Sequence, residues 1–201
     1  QYNSSDVSDE FAILALADIP ASSVIFISDA SWDRINNSFL ISTSFPERAI
    51  KWTTKNATIT AGTIIRFDNP DTNLIVLEDT SLGTLEYYKV DGNGTAAEGG
   101  DRELNISSSG DQIVIFQTSN GLVTGPVTFI YGFNSEFVTD KYTDGWHTST
   151  DAFTSTSDSH VPAGLTTVNA AQSNRTTASA FSPSGLGGAE IDNWQYNGAT
   201  T

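Results

Sequence analysis

The 201-residue chain carries 24 acidic and 9 basic side chains, which gives a net charge of −15 at pH 7. A field of that sign repels polyanions and argues against nucleic acid and anionic membranes as partners. The absence of Cys excludes disulfides and Cys-based zinc sites, and no stretch reaches the roughly 20 apolar residues that cross a bilayer. We expect one large domain over residues 11–201.

The chain also lacks Met and begins at Gln1. Removal of a signal peptide is the simplest account and predicts an extracellular protein, whereas the alternative is that the sequence in hand starts there. Sequons of the form Asn-x-Ser/Thr agree with secretion, although a chain rich in Ser and Thr holds some by chance. The candidate glycosylation acceptors are Asn3, Asn36, Asn56, Asn93, Asn105 and Asn174.

Residues 1–10 are polar and acidic, and we expect them to form an arm ahead of the fold. Residues 11–17 are apolar throughout and predict a strand, because so short a helix is marginal in water. A strand that is apolar in both directions needs cover on both faces. Either it is donated to an open sheet edge of a neighbouring copy, or it is the first strand of its own domain. The candidate assembly residues are Phe11, Ile13, Leu14 and Leu16.

Short apolar or alternating runs separated by Gly, Asn and Asp continue to residue 133. Residues 49–53 alternate, which places Ile50 and Trp52 on one face. Residues 107–117 lead from a polar turn into four consecutive apolar residues, 113–116, without Pro, and predict a central strand covered on both faces. The pattern predicts an all-β fold: an antiparallel β-sandwich, jelly-roll or immunoglobulin-like, with a long irregular C-terminal segment whose one candidate helix is residues 166–173.

Several segments of the chain occur in the same order as similar segments of other proteins. They are residues 24–29 with Trp32, residues 50–53, residues 59–65, residues 109–113, residues 129–132, and a closing set of Asp192, Asn193, Tyr196 and Gly198. In this order they resemble a module of large secreted or surface-attached bacterial proteins. The resemblance implies a module that accompanies enzymatic and adhesive domains and has no catalytic motif of its own. Because this chain stands without such domains, we expect self-assembly.

The residues themselves indicate no catalytic machinery, and we expect a protein that is not an enzyme. The chain has no Gly-x-Ser-x-Gly elbow, and its histidines, His147 and His160, are expected to be exposed in a polar loop. There is no His-Glu-x-x-His motif, and the many acidic residues offer no distinct pair for glycoside hydrolysis. No organic cofactor is indicated.

Calcium is the predicted ion, because a Gly-rich loop offers hard oxygen ligands on a flexible backbone. The candidate ligands are Asp91, Asn93, Thr95, Glu98 and Asp101. The spacing differs from an EF-hand, since Ala96 occupies the position of the required Gly. A second group, Asp29, Asp33 and Asp111, requires its loops to meet in space. The alternative is that these are ordinary turn residues.

Aromatic side chains in an exposed row stack on sugar rings, although core packing is their commoner fate. The candidates are Trp52, Tyr87, Trp146 and Trp194. Two functional hypotheses follow. The first is a non-catalytic extracellular structural subunit of a surface matrix, appendage or filament, which assembles with copies of itself by β-strand addition. The alternative is a carbohydrate-binding or adhesive module of a cell-surface protein, with glycans as partners.

Overall fold

A computed structural model describes residues 2–5, 8–41, 47–71, 74–97, 104, 112–134, 146–147, 159–162 and 165. They form β-strands, loops and one 3₁₀ turn at Thr80–Leu82, so the predicted all-β class holds for these residues. Within these ranges, no helix combines the length and the apolar character needed to span a bilayer. The candidate helix at residues 166–173 lies outside the described residues, as does most of the C-terminal segment.

The described strands make up two large sheets. In chain order they are β1 (Tyr2–Ser5), β2 (Ser8–Leu14), β3 (Val24–Ser28), β4 (Trp32–Asp33), β5 (Ser38–Phe39), β6 (Arg48–Thr54), β7 (Ile64–Asp71), β8 (Leu74–Leu77), β9 (Gly83–Lys89), β10 (Gln112–Thr118), β11 (Val127–Asn134), β12 (Trp146–His147) and β13 (Ser159–His160). The four-stranded sheet has the order β1-β2-β7-β8, and the five-stranded sheet has the order β11-β10-β3-β6-β9. All pairings within these two sheets are antiparallel. Two short pairs, β4 with β5 and β12 with β13, are separate from them.

The N-terminal segment forms a hairpin where the sequence predicts an arm. Tyr2 of β1 lies opposite Phe11 of β2, and Phe11 also lies opposite Phe67 of β7. β1 pairs with residues 8–11 of β2 on one side, and β7 pairs with residues 11–14 on the other. Residues 11–14 therefore lie in a strand that pairs within its own chain, which agrees with the alternative. Donation of residues 11–17 to a neighbouring copy stays a prediction.

One hydrophobic cluster, here called the shared core, draws buried side chains from both large sheets. Phe11 stacks on Phe67 within the four-stranded sheet, with ring centroids 4.6 Å apart. Trp52 of β6 meets Phe67 edge-on at 5.9 Å, which is an aromatic contact between residues of different sheets. Such pairs add about 0.5–1.5 kcal/mol beyond the area that they bury.

The other face of the five-stranded sheet carries a second cluster, here called the second core. In it Phe116 of β10 packs against Phe39, and Phe39 packs against Trp32 of β4, with ring centroids 5.1 and 5.2 Å apart. Along β10, Ile113 and Ile115 belong to the shared core, whereas Phe116 belongs to the second core. This confirms that the apolar run at residues 113–116 lies in a strand covered on both faces, whereas residues 107–111 of the predicted stretch lie outside the described residues.

Two connections carry the chain from one large sheet to the other, and they are built alike. The first corner, residues 15–23, links β2 to β3, and the second corner, residues 55–63, links β6 to β7. Their midpoints, Ile19 and Ile59, form an isolated antiparallel bridge. Each corner ends in a tight turn that contains a positive φ, 59° at Ser22 and 88° at Gly62. The corners are thus related by an approximate internal two-fold.

Candidate interaction surface

The end of β2 exposes aliphatic side chains on the face that points away from the shared core. Phe11 and Ala15 are buried, whereas Leu14 and Leu16 are 51% and 50% exposed. Leu14 lies directly opposite Ile64 of β7, which is 55% exposed. The alternation follows from strand geometry, in which successive side chains point to opposite faces. Leu14, Leu16 and Ile64 are called the corner patch from here on.

The backbone around the corner patch is held by the corners themselves. Ala15 N–H donates to the carbonyl of Thr63 at 2.9 Å, and Gly62 N–H donates to the carbonyl of Ala15 at 2.7 Å. Asp18 Oδ1 accepts the Ala61 N–H at 2.9 Å, which ties the first corner to the second. The patch therefore rests on a hydrogen-bonded backbone, and its side chains are presented by a defined surface.

The second corner shows that this backbone does not require an aliphatic side chain at every patch position. Leu16 precedes Ile19 by three positions, as the exposed Asn56 precedes Ile59. In the same alignment Leu14 corresponds to the buried Thr54, and Ile64 corresponds to Val24. Leu16 is thus the patch position that has an exposed polar counterpart in the other corner.

The side chains of the corner patch are uncharged, although the chain as a whole is strongly acidic. Arg66 follows Ile65 on β7 and forms an ion pair with Glu78, with Nε and Oε2 3.5 Å apart. Both side chains are mostly exposed, so the pair contributes little stability. Arg66 and Glu78 cancel in charge, so the exposed Asp18 of the first corner is the negative charge that remains among these neighbours.

Sequence reasoning identified part of this surface. Of the candidate assembly residues, Phe11 is buried and Ile13 packs against the shared core, whereas Leu14 and Leu16 are exposed. Ile64 was missed. Its available signal was the pair Ile64 and Ile65, because adjacent apolar residues on a strand put one of them on the outer face.

The candidate calcium loop begins as a tight turn. Asp91 Oδ1 accepts the backbone N–H groups of Asn93, Gly94 and Thr95 at 2.9, 2.8 and 3.3 Å. A hydrogen bond from the Thr95 side chain, together with these backbone donors, lowers the pKa of Asp91 to about 2. Glu98 and Asp101 lie outside the described residues, so calcium binding stays a prediction.

In the second acidic group, the carboxylates that lie within the described residues accept hydrogen bonds from backbone N–H groups. Asp29 is buried and its Oδ1 accepts the Arg48 N–H at 2.9 Å. Asp33 Oδ1 accepts the Ile35 N–H at 2.8 Å, which is a turn interaction. Asp111 lies outside the described residues. Within the described part of the chain, no group of three or more His, Asp or Glu side chains is placed to hold a metal ion.

The aromatic candidates do not form an exposed row. Trp52 is 1% exposed, and its Nε1–H donates to the carbonyl of Leu82 at 3.3 Å. The prediction of sugar stacking is wrong for Trp52, because the shared core covers its ring. Tyr87 is half-buried and its hydroxyl donates to the carbonyl of Ile75 at 2.5 Å. The side chain of Trp146 and all of Trp194 lie outside the described residues.

Three of the six candidate glycosylation acceptors have side chains that the structure describes. Asn36, Asn56 and Asn93 are exposed, as an acceptor for an N-linked sugar must be. Asn36 Nδ2 donates to Asp33 Oδ2 at 2.5 Å, so a sugar there would have to share this contact. The side chain of Asn3 and all of Asn105 and Asn174 lie outside the described residues. Glycosylation stays a prediction.

Ser159, His160 and Asp33 lie close together, yet their arrangement is structural. Trp32 N–H donates to Ser159 Oγ at 3.0 Å, and Arg34 N–H donates to His160 Nδ1 at 3.1 Å. His160 is 1% exposed and its Nδ1 lies 3.7 Å from Asp33 Oδ1. The expectation of an exposed histidine is wrong for His160, because its ring accepts a backbone N–H beside the second core. Buried side chains that serve backbone donors offer no accessible nucleophile.

Comparisons of the chain with family models, with curated proteins and with solved structures found no match. No known site is therefore carried over to it. Among the described residues, the corner patch is the surface best suited to an intermolecular contact. Its aliphatic, uncharged chemistry favours a protein surface over a charged ligand or a sugar.

Proposed function

We propose that this chain is a non-catalytic structural subunit of an extracellular matrix, appendage or filament, and that it associates with further copies of itself. The observation that carries the proposal is the corner patch, Leu14, Leu16 and Ile64, each about half exposed on paired backbone. Apolar clusters rimmed by polar residues mark interaction sites. The extracellular location is proposed from the sequons.

We further propose that the two large sheets pack face to face as an antiparallel β-sandwich. The shared core supports this, because it contains buried residues of both sheets, and so does the contact between Trp52 and Phe67. Sheets packed in this way bury one face each and form a rigid block. The outer face of the four-stranded sheet, which carries the corner patch, is then the side open to a partner.

A second copy of the chain is the partner that fits the patch. A strongly acidic protein repels its own copies, and the side chains of the patch, which are uncharged, add nothing to that repulsion. Leu14 and Ile64 are neighbours of similar size and polarity. A two-fold contact therefore places Leu14 of one copy against Ile64 of the other, and the reverse.

The size of the patch predicts a weak contact. Full burial of an aliphatic side chain contributes about 1.5–3 kcal/mol, so three half-exposed side chains contribute roughly 1 kcal/mol each per copy. Association costs at least about 4 kcal/mol in lost translational and rotational freedom. The contact is thus concentration-dependent, and it becomes effective when it is repeated along an assembly.

Sedimentation velocity over a range of protein concentrations tests the proposal. We expect the average mass of the wild type to rise with concentration. The double variant Leu14→Thr with Ile64→Thr places β-branched polar side chains, which suit strands, at both positions and should yield smaller species. Leu122→Thr is the matched control, since Leu122 is 58% exposed in the loop before β11. A wild type that stays monomeric, or a double variant that assembles like the wild type, would overturn the proposal.

A further inference from the structure

Asn93 and Gly94 lie in the turn that follows β9, and Asn93 is exposed. An Asn followed by Gly is a chemically reactive pair, because the backbone nitrogen of the Gly can attack the amide carbon of the Asn side chain. Glycine has no side chain to hinder that approach. The pair therefore contains both the electrophile and the nucleophile of a deamidation.

The turn requires a glycine at position 94. The φ of Gly94 is 66°, which lies in the left-handed region that residues with a side chain disfavour. A Cβ atom at this position would also lie 2.6 Å from Val123 Cγ1. The fold thus keeps the reactive pair in place, and control over its reaction comes from the residues around it.

Asp91 is the residue placed to exert that control. Its Oδ1 accepts three backbone N–H groups, of which the one of Gly94 is the closest at 2.8 Å. The Gly94 nitrogen is the nucleophile, and it attacks only as it gives up its proton. A carboxylate that holds this N–H disfavours the negative charge that would develop on the nitrogen.

We propose that Asn93 is a site of spontaneous deamidation and that Asp91 restrains the reaction in the folded protein. In the reaction a bond forms from the Gly94 nitrogen to Asn93 Cγ, and the bond from Cγ to Nδ2 breaks. The side-chain nitrogen leaves as ammonia and takes the proton of the Gly94 nitrogen with it. Water then opens the resulting cyclic imide at either carbonyl, which leaves aspartate or isoaspartate at position 93.

Deamidation would undo the turn in which it occurs. The product carries a carboxylate two positions along the chain from Asp91, where like charges repel. Isoaspartate also adds a carbon to the main chain, so the N–H groups of residues 93–95 no longer fit one Oδ1. The carbonyl of Thr95 accepts the Lys89 N–H at 2.7 Å, so the change extends to the end of β9.

A second Asn-Gly pair, Asn120 with Gly121, provides an internal reference. Asn120 is exposed as well, and its Oδ1 accepts the Leu122 N–H at 3.0 Å. The Gly121 N–H donates to the neutral carbonyl of Thr118 at 3.4 Å. Removal of the Asp91 carboxylate should therefore leave the rate of deamidation at Asn120 unchanged.

Peptide mapping by mass spectrometry measures the reaction at both pairs. The protein is produced without N-glycosylation, because Asn93 also lies in a sequon, and is incubated at mildly alkaline pH. We expect Asn93 to react at least about tenfold faster in Asp91→Ala than in the wild type, since a hydrogen bond to a charged group is lost. Asp91→Ser keeps a weaker acceptor and should react at an intermediate rate.

Ile59→Ala is the control for a general loss of stability, because Ile59 belongs to the shared core. It should leave the rate at Asn93 close to that of the wild type, and the wild type unfolded in urea gives the unrestrained rate. An Asp91→Ala variant that reacts no faster than the wild type, or an equal acceleration at Asn93 in Ile59→Ala, would overturn the inference. So would a folded wild type that reacts as fast as the unfolded chain, and an Asn93 that stays intact in urea would refute the site itself.

Discussion

Ile19 and Ile59 hydrogen-bond each other in both directions: Ile19 N–H donates to the carbonyl of Ile59 at 2.8 Å, and Ile59 N–H donates to that of Ile19 at 2.9 Å. Ile59 is buried and Ile19 packs against the same shared core. Each residue is the midpoint of a corner that carries the chain from one sheet to the other. This pair therefore links the crossings that set the relative positions of β2, β3, β6 and β7.

Truncation of Ile59 should destabilise the protein strongly. Ile59→Ala removes buried methyl groups from the shared core and leaves a cavity, which typically costs about 2–5 kcal/mol. Ile35→Ala is the control, because Ile35 is 59% exposed and its truncation should change the free energy of unfolding by less than about 0.5 kcal/mol. Urea unfolding measures both. If Ile59→Ala and Ile35→Ala lost equal stability, the contribution of the Ile19–Ile59 pair to the shared core would be contradicted.

The two corner turns should respond differently to substitution. Gly62 has a φ of 88° and open space around its Cβ position, so Gly62→Ala should destabilise through backbone strain by roughly 1–2 kcal/mol. Ser22→Gly at the matching turn, where φ is 59°, relieves such strain and should be close to neutral. Thermal unfolding of both variants checks whether Gly62→Ala is the less stable of the two. A neutral Gly62→Ala would show that the second corner adopts a different turn.

Asp91 should make the stability depend on pH in the acidic range. The folded-state pKa of Asp91 is lowered to about 2 from an ordinary value of 3.8, so the carboxylate is the form that the folded state favours. Its contribution is fully present above pH 4 and is lost as the pH falls through about 2. The difference in unfolding free energy between the wild type and Asp91→Ala should therefore shrink between pH 4 and pH 2. A difference that stays constant over that range would contradict the turn geometry.

Ser159 should stabilise the attachment of β13 to β4. Ser159→Ala leaves the buried N–H of Trp32 without its acceptor, and an unsatisfied buried donor costs about 1–3 kcal/mol. Ser81→Ala is a suitable control, since Ser81 and its hydrogen-bond partner Asp79 are both exposed. Chemical denaturation of both variants measures the effect. If Ser159→Ala loses no more stability than Ser81→Ala, the hydrogen bond from Trp32 to Ser159 does not stabilise the attachment of β13 to β4.

The calcium prediction has a thermal test of its own. If Asp91 and its candidate partners bind the ion, added calcium should raise the unfolding temperature of the wild type and excess chelator should lower it, because a ligand of the folded state stabilises by mass action. Asp91→Ala should abolish the shift. An unchanged melting curve would leave Asp91 as a turn residue, which is the role its three backbone contacts already show.

Strand faces follow from local geometry and were predictable. Residues 49–53 alternate in the sequence, and the structure buries Ile50 and Trp52 while Lys51 and Thr53 are only partly buried. An uninterrupted apolar run at residues 113–116 predicts cover on both faces, because successive side chains point to opposite faces, and β10 shows this. The role of Trp52 was less predictable, because a buried and an exposed aromatic look the same in a sequence.

By itself, the sequence determined the all-β class, the acidic surface, the lack of cysteine chemistry and the two-sided apolar character of residues 11–17. These depend on composition and on the period-two geometry of each strand. Only the tertiary structure decided that β2 pairs within its own chain, that Leu14 meets Ile64 and that His160 is buried. The physical reason is that strand partners and burial depend on contacts between distant parts of the chain, which no local pattern specifies.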